Sequence, residues 1–296
     1  MYSTREEIKA AFDAYRVHIA ERNRRALEVY VQVATQAELD PEDWGDVAED
    51  MRIDCFASVL GRSDARALIS SPEDTLTKFD ELAPLCDLDG CGWSLPTSDE
   101  RELYFSRLES ALKAKCLEDV RDTITAPPEL RILAEYVGAL TGPGMGETKW
   151  TYQAMFWTGA GGETDDLIDA TVKKPHELTV DGCWEVAAEW ESGHGVESFF
   201  YVVHCRRNRP DGEVEPWAWR YMAYGPDDYK TFDTIPELLE WYCRYREREV
   251  PNIEDLDADE APAAEDRLGH RWTPRTAGRC PVPDFLDSSK EDKMAD

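Results

Sequence analysis

Two histidines and two cysteines lie near one another in the second half of the chain, and chemistry could start from them: His194, His204, Cys183 and Cys205. Zinc asks for three or four converging nitrogen or sulfur ligands, and a thiol nucleophile asks for a histidine base within hydrogen-bonding reach. The local spacing supplies neither arrangement. His204 and Cys205 are adjacent, and adjacent residues of a strand point to opposite faces. The eight cysteines form no CxxC pair. The expectation is therefore reduced, mostly buried thiols, with no metal, no cofactor and no catalytic residue assigned. Gly159-Ala160-Gly161-Gly162 lacks the Lys-Ser/Thr ending of a phosphate loop and is followed by Glu163, Asp165 and Asp166, so it reads as a strand connection. Asp87, Asp89 and Gly92 resemble the start of a calcium loop. Cys91 stands at the fifth position, where an oxygen ligand belongs, and Ser98 at the twelfth, where a bidentate Glu belongs, which makes an ordinary turn the better reading.

The other chemistry on offer is recognition. Trp217, Trp219, Tyr221 and Tyr224 crowd one predicted strand, with His194 and His204 on or beside its neighbours. Aromatics and acids on an open sheet face could take a basic or apolar peptide. Alternating aromatics also build cores, and both readings stand at this point.

These residues need strands to hold them. Thr151–Trp157, Cys183–Trp190, Ser198–Cys205 and Trp217–Tyr224 are rich in β-branched and aromatic residues and are bounded by turn formers. The last three read as an antiparallel meander, turned at Gly193-His194-Gly195 and at Pro210-Asp211-Gly212. Alternation places Trp184, Val186 and Ala188 on one face with Glu185 and Glu189 on the other; Trp217, Trp219, Tyr221 and Ala223 likewise share a face. Thr158–Gly182 reads as a long polar connection. A helix follows the meander: Thr234 as cap, Pro236 in the first turn, Glu237 three residues after the cap, then Leu238, Leu239, Tyr242 and Tyr245.

The N-terminal third is expected to be helical. Thr4 and Glu7 form a capping box, Ile8, Phe12, Tyr15 and Ile19 mark one face, and the helix extends to about Gln36. Arg22, Arg24 and Arg25 form a basic cluster that reads as a solvated face. Asp40-Pro41 and Ser71-Pro72 start further helices, the first running to Leu60, with a short helix at Asp64–Ile69 between them. Thr97 and Glu100 cap another, with Leu103, Leu108 and Leu112 inside it; Pro127-Pro128 opens one more, carrying Leu130, Leu133, Val137 and Leu140.

The formal net charge of the 296 residues is −29, which repels phosphate and anionic lipid and favours basic protein partners. The opening residues carry no apolar signal-peptide core, and the expectation is a cytoplasmic or nuclear protein that engages neither nucleic acid nor membrane.

Pro127-Pro128-Glu129-Leu130-Arg131, Gly142-Pro143-Gly144, the tryptophan-bearing meander and Phe232–Trp241 follow one another in an order that resembles the SUKH superfamily of bacterial immunity proteins and fungal cell-wall regulators. The resemblance spans roughly residues 100–249. Thr141-Gly142-Pro143 replaces the acidic or Asn-Gly turn usual there, and the Thr158–Gly182 insertion is long. The resemblance implies a protein-binding, non-enzymatic role and assigns no catalytic residue.

The expectation is an α+β protein: a helical region at 1–95, a mostly antiparallel sheet domain with flanking helices at 96–249, and an acidic, disordered tail at 250–296. Its expected function is a protein-interaction or regulatory module with an acidic surface. The alternative is a small-molecule-binding or hydrolytic enzyme with a site on the open sheet face near Trp217, Trp219, His194 and His204.

Overall fold

In a computed structural model, the residues described are 2–36, 50, 53, 60, 63–92, 95–142, 156–157, 165–175, 184–195, 198–207, 215–224 and 229–244. They form an α+β protein. The helix expected over Asp40–Leu60, the loop Gly159–Gly162, the turn at Pro210–Gly212 and the tail at 250–296 lie outside them, apart from Asp50, Ile53 and Leu60.

Local chemistry sets the helix starts. Helix α1 (Arg5–Gln36) begins with a reciprocal cap: Glu7 N donates to Thr4 Oγ1 at 3.2 Å, and Thr4 N donates to Glu7 at 2.7 Å. Ile8, Phe12, Tyr15 and Ile19 are buried. The next buried position on this helix is Asn23, whose amide donates to the Leu88 carbonyl at 2.7 Å. Two short helices, α2 (Asp74–Thr77) and α3 (Phe79–Leu85), follow a 3-10 turn at Ser63–Ala67. Helix α4 (Ser98–Lys115) carries the expected Thr97–Glu100 capping box. Thr97→Ala is expected to cost about 1 kcal/mol, because it strands the Glu100 N–H of the first turn; urea denaturation would measure it, and an unchanged midpoint would discount the cap.

By contacts the described residues divide into two compact units, one made of those up to Asn23 with those from Asp87 onward, the other of those from Arg24 to Cys86. The first boundary differs from the expected one at residue 95. The start of α1 shares a core with Tyr104, Phe105 and Leu108 of α4, so the opening residues belong with the sheet. In the second unit, Phe79 and Leu82 are buried, and Arg24 lies 4.5 Å over the Phe79 ring while bonding Asp80 at 2.9 Å. That cation is thus partly used within its own unit.

The sheet of the first unit is a five-stranded antiparallel meander: β4 (Val172–Lys173), β5 (Trp184–Gly195), β6 (Ser198–Arg207), β7 (Ala218–Tyr224) and β8 (Tyr229–Phe232). A small sheet of β1 (Cys91–Gly92), β2 (Ala139–Leu140) and β3 (Phe156–Trp157) stands beside it in sequence. Helices α5 (Pro128–Leu133), α6 (Asp165–Thr171) and α7 (Ile235–Tyr242) complete the described elements. The main core joins α1, α4, α5 and α7 to one sheet face through Ala188, Trp190, Phe200, Val202, Trp219, Tyr221 and Ala223. Burying so many large apolar side chains is the main stabilising term, at about 1.5–3 kcal/mol each.

Several expectations are corrected here. The Thr158–Gly182 stretch contains α6 and β4. The helix opened at Pro128 ends at Leu133, and Ala139–Leu140 pair as a strand. Leu103 is exposed, and its neighbours Tyr104 and Phe105 enter the core instead. Gly193–Gly195 extend β5 and are not a turn. Most consequential are two bulges in β5, at Ala187 and Ser192. An extra residue resets the alternation, so Trp184 and Val186 lie on the face opposite Ala188 and Trp190. The Ala187 carbonyl, freed by its bulge, accepts from Leu117 N at 2.9 Å.

No helix among the described residues is long and apolar enough to cross a membrane.

Candidate functional site

The sheet separates the residues singled out from sequence. On the helix-packed face, Trp219 and Tyr221 are core residues, 2% and 0% exposed. The Trp219 indole donates to the Thr125 carbonyl at 3.1 Å. Tyr221 lies beside Glu129; burial, then that neighbouring charge, push its phenol well above the ordinary value. A partner could reach neither side chain without opening the core.

His204 shares this face. Its ring stacks on Trp217 at 5.9 Å and meets Trp219 at 4.9 Å between centroids. The Arg206 guanidinium covers the Trp217 ring at 4.2 Å and bonds Glu185 at 2.7 Å. Burial, assisted by the Arg220 charge, lowers the His204 pKa from 6.5 to about 4. The imidazole is therefore neutral at neutral pH and acts as an aromatic packing element.

A pH dependence follows. The unfolded chain takes a proton near the ordinary histidine value, while the folded chain resists until about 4, so stability is lost as pH falls from 6.5 toward 4. At 1.36 kcal/mol per unit the span is at most roughly 3 kcal/mol. His204→Phe should flatten this part of the urea-midpoint profile; identical acid slopes for both proteins would refute the assignment.

Cys205 points the other way, as adjacency in a strand requires. It packs with Val186, Val203 and Met222 on the second face. Burial raises its thiol to about 11, outweighing the lowering by Arg220, so it is no thiolate nucleophile. Arg220 is the centre of that region. It donates to Asp233 at 2.7 Å, to Glu215 at 3.3 Å and to the Cys205 carbonyl at 2.9 Å. With Arg207 it also covers the Trp184 ring, at 4.6 and 4.5 Å. Cys183 and the His194 side chain lie outside the described residues.

Asp87–Gly90 is a turn leading into β1, with Gly90 N bonded to the Asp87 carbonyl at 3.1 Å. Arg16 donates to one Asp89 carboxylate oxygen at 2.5 and 3.0 Å, and Cys91 N donates to the other at 3.2 Å. Among the described residues, no three of His, Cys, Asp or Glu are grouped so as to hold a metal ion.

What remains open lies at one end of the second face. Phe199 of β6 pairs in register with Tyr224 of β7; they are 40% and 48% exposed. In the next row Glu191 pairs with Tyr201. The Phe199 ring stacks on Tyr201 at 6.3 Å. Burial, then the charges of Glu191 and Glu189, raise the Tyr201 phenol to about 12. Of the aromatics expected to bind, Tyr224 alone belongs to this patch. Phe199 and Tyr201 were not singled out from sequence, although their alternation with Phe200 and Val202 carried that signal. In comparison with known proteins, no family model, no curated protein and no solved structure matches the chain.

Proposed function

We propose that this chain is a non-enzymatic protein-interaction or regulatory module whose acidic surface engages a basic protein partner. The observation that carries the reading is the exposed Phe199–Tyr224 pair, set beside Glu191 on the sheet face away from the helices of the core. Exposed aromatic pairs that face solvent add little to a monomer's core and are the residue types that anchor interfaces. The net charge of −29 makes a basic partner the electrostatically favoured one.

The resemblance to the SUKH superfamily points the same way. Its two motif segments meet through Glu129, whose carboxylate accepts from Ile235 N at 2.7 Å. By that resemblance the module would neutralise or scaffold another protein rather than turn over a substrate.

The test is affinity capture on the purified full chain from its native cell at low and moderate salt, followed by reconstitution with the purified captured protein. The expected result is a basic protein whose retention weakens as salt rises. Capture of nothing, or of a partner indifferent to salt, would overturn the reading.

A further inference from the structure

Resting on that reading, we propose that the docking site is the patch formed by Phe199, Tyr201, Tyr224 and Glu191, and that it takes lysine or arginine side chains from an extended basic segment of the partner. Opposed residues of an antiparallel pair share a face, so the pairings Phe199–Tyr224 and Glu191–Tyr201 put all four side chains on one side of the sheet. The exposed rings of Phe199 and Tyr224 offer π-faces, and Glu191 lies one row away. Aromatic faces beside a carboxylate make the chemistry that recognises a cation carried on an apolar stem, since the stem lies along the rings and the charge is held by π-faces and carboxylate together.

The local field has the matching sign. Tyr201 resists losing its proton, with Glu191 and Glu189 as the charged contributors after burial. Lys173 stands 3.9 Å from Glu191, so an incoming cation joins an existing ion pair, and binding by a single side chain would be weak. A run of basic residues overcomes this, because several cations engage the patch in turn while the net charge of −29 draws the whole segment in. The same field argues against other occupants. Nucleic acid brings phosphates, and a second copy of this chain brings another charge of −29.

The experiment titrates a fluorescently labelled oligo-lysine/arginine peptide into the full chain, with an oligo-glutamate peptide as control, at near-physiological salt. Phe199→Ala/Tyr224→Ala leaves the net charge unchanged and is expected to weaken Kd about tenfold, or about 1.4 kcal/mol. Glu191→Gln is expected to weaken it a few-fold. Leu103→Ala, at an equally exposed apolar residue on α4, is expected to leave it unchanged. Circular dichroism and the urea midpoint check that each variant is folded; should the double variant fail, Glu191→Gln carries the test alone.

Equal affinity for wild type and the double variant would overturn the site while leaving the interaction reading standing. No preference of the wild type for the basic peptide would overturn the cation chemistry, and the capture experiment would then decide the broader reading. A wild-type dimer that the double variant dissolves, seen by sedimentation, would make the occupant a second copy and overturn the proposal.

Discussion

Glu129→Ala is expected to destabilise the protein by about 3–5 kcal/mol, the largest loss of any single change considered. Glu129 is fully buried. One carboxylate oxygen accepts from Ser3 N at 2.5 Å, and the other accepts from Ile235 N at 2.7 Å. Ile235 opens α7, so its N–H is one of the donors a helix cannot satisfy internally. An acid at that end also complements the helix dipole. The Thr234 hydroxyl serves Glu237 N, and Glu237 reaches back to Asp233 N, which leaves Ile235 N to Glu129. Each stranded buried donor costs about 1–3 kcal/mol, and truncation to alanine adds a cavity. Glu129→Gln keeps the volume but turns an amide donor toward one of the two N–H groups, so an intermediate loss is expected. Equilibrium urea denaturation of both variants would check this. An alanine variant within about 0.5 kcal/mol of wild type would mean that water or local rearrangement replaces the carboxylate.

Gly90→Ala is expected to cost about 2–4 kcal/mol, for two separate reasons. Gly90 sits at φ +77°, in the left-handed region where a Cβ is strained. An added Cβ would also stand 2.8 Å from Tyr15 Cε1 and 2.9 Å from its hydroxyl. Tyr15 cannot easily yield, because it is buried, stacks on Tyr242 at 6.1 Å and accepts from Gly142 N at 3.1 Å through its hydroxyl. Tyr15→Phe removes one of the clashing atoms but strands the Gly142 donor. The two changes should therefore be less than additive when combined. A double-mutant cycle measured by denaturation would show this; strict additivity would mean that the Tyr15 hydroxyl adds nothing to the clash, leaving the ring carbons and the backbone conformation to carry it.

How much of this was legible beforehand depends on the range of the physics. The caps at Thr4–Glu7 and Thr97–Glu100 are formed by residues three apart, and the sequence displays them directly. The buried stripe Ile8, Phe12, Tyr15 and Ile19 follows from helical periodicity. Alternation likewise put Trp219, Tyr221 and Ala223 on one face of β7. It could not say that helices cover that face, because the covering residues come from distant segments. The candidate patch was half visible. Tyr224 stands out with the other aromatics of its strand, whereas the place of Phe199 and Tyr201 on the second face depends on the strands that pair with β6 on both sides.

By itself the sequence determined the α+β class, the starts of the main helices, the periodic faces and the strongly acidic charge, since each rests on interactions between residues a few positions apart or on composition alone. Only the tertiary structure decided the rest. It put Asn23 where the apolar stripe continues, gave Glu129 a donor 106 residues away, and used the bulge at Ala187 to set Trp184 and Val186 on the face opposite Ala188 and Trp190. The physical reason is the same in each case. A buried polar group or an unpaired carbonyl must find its partner wherever the fold brings one, and a single extra residue in a strand reverses every side chain beyond it.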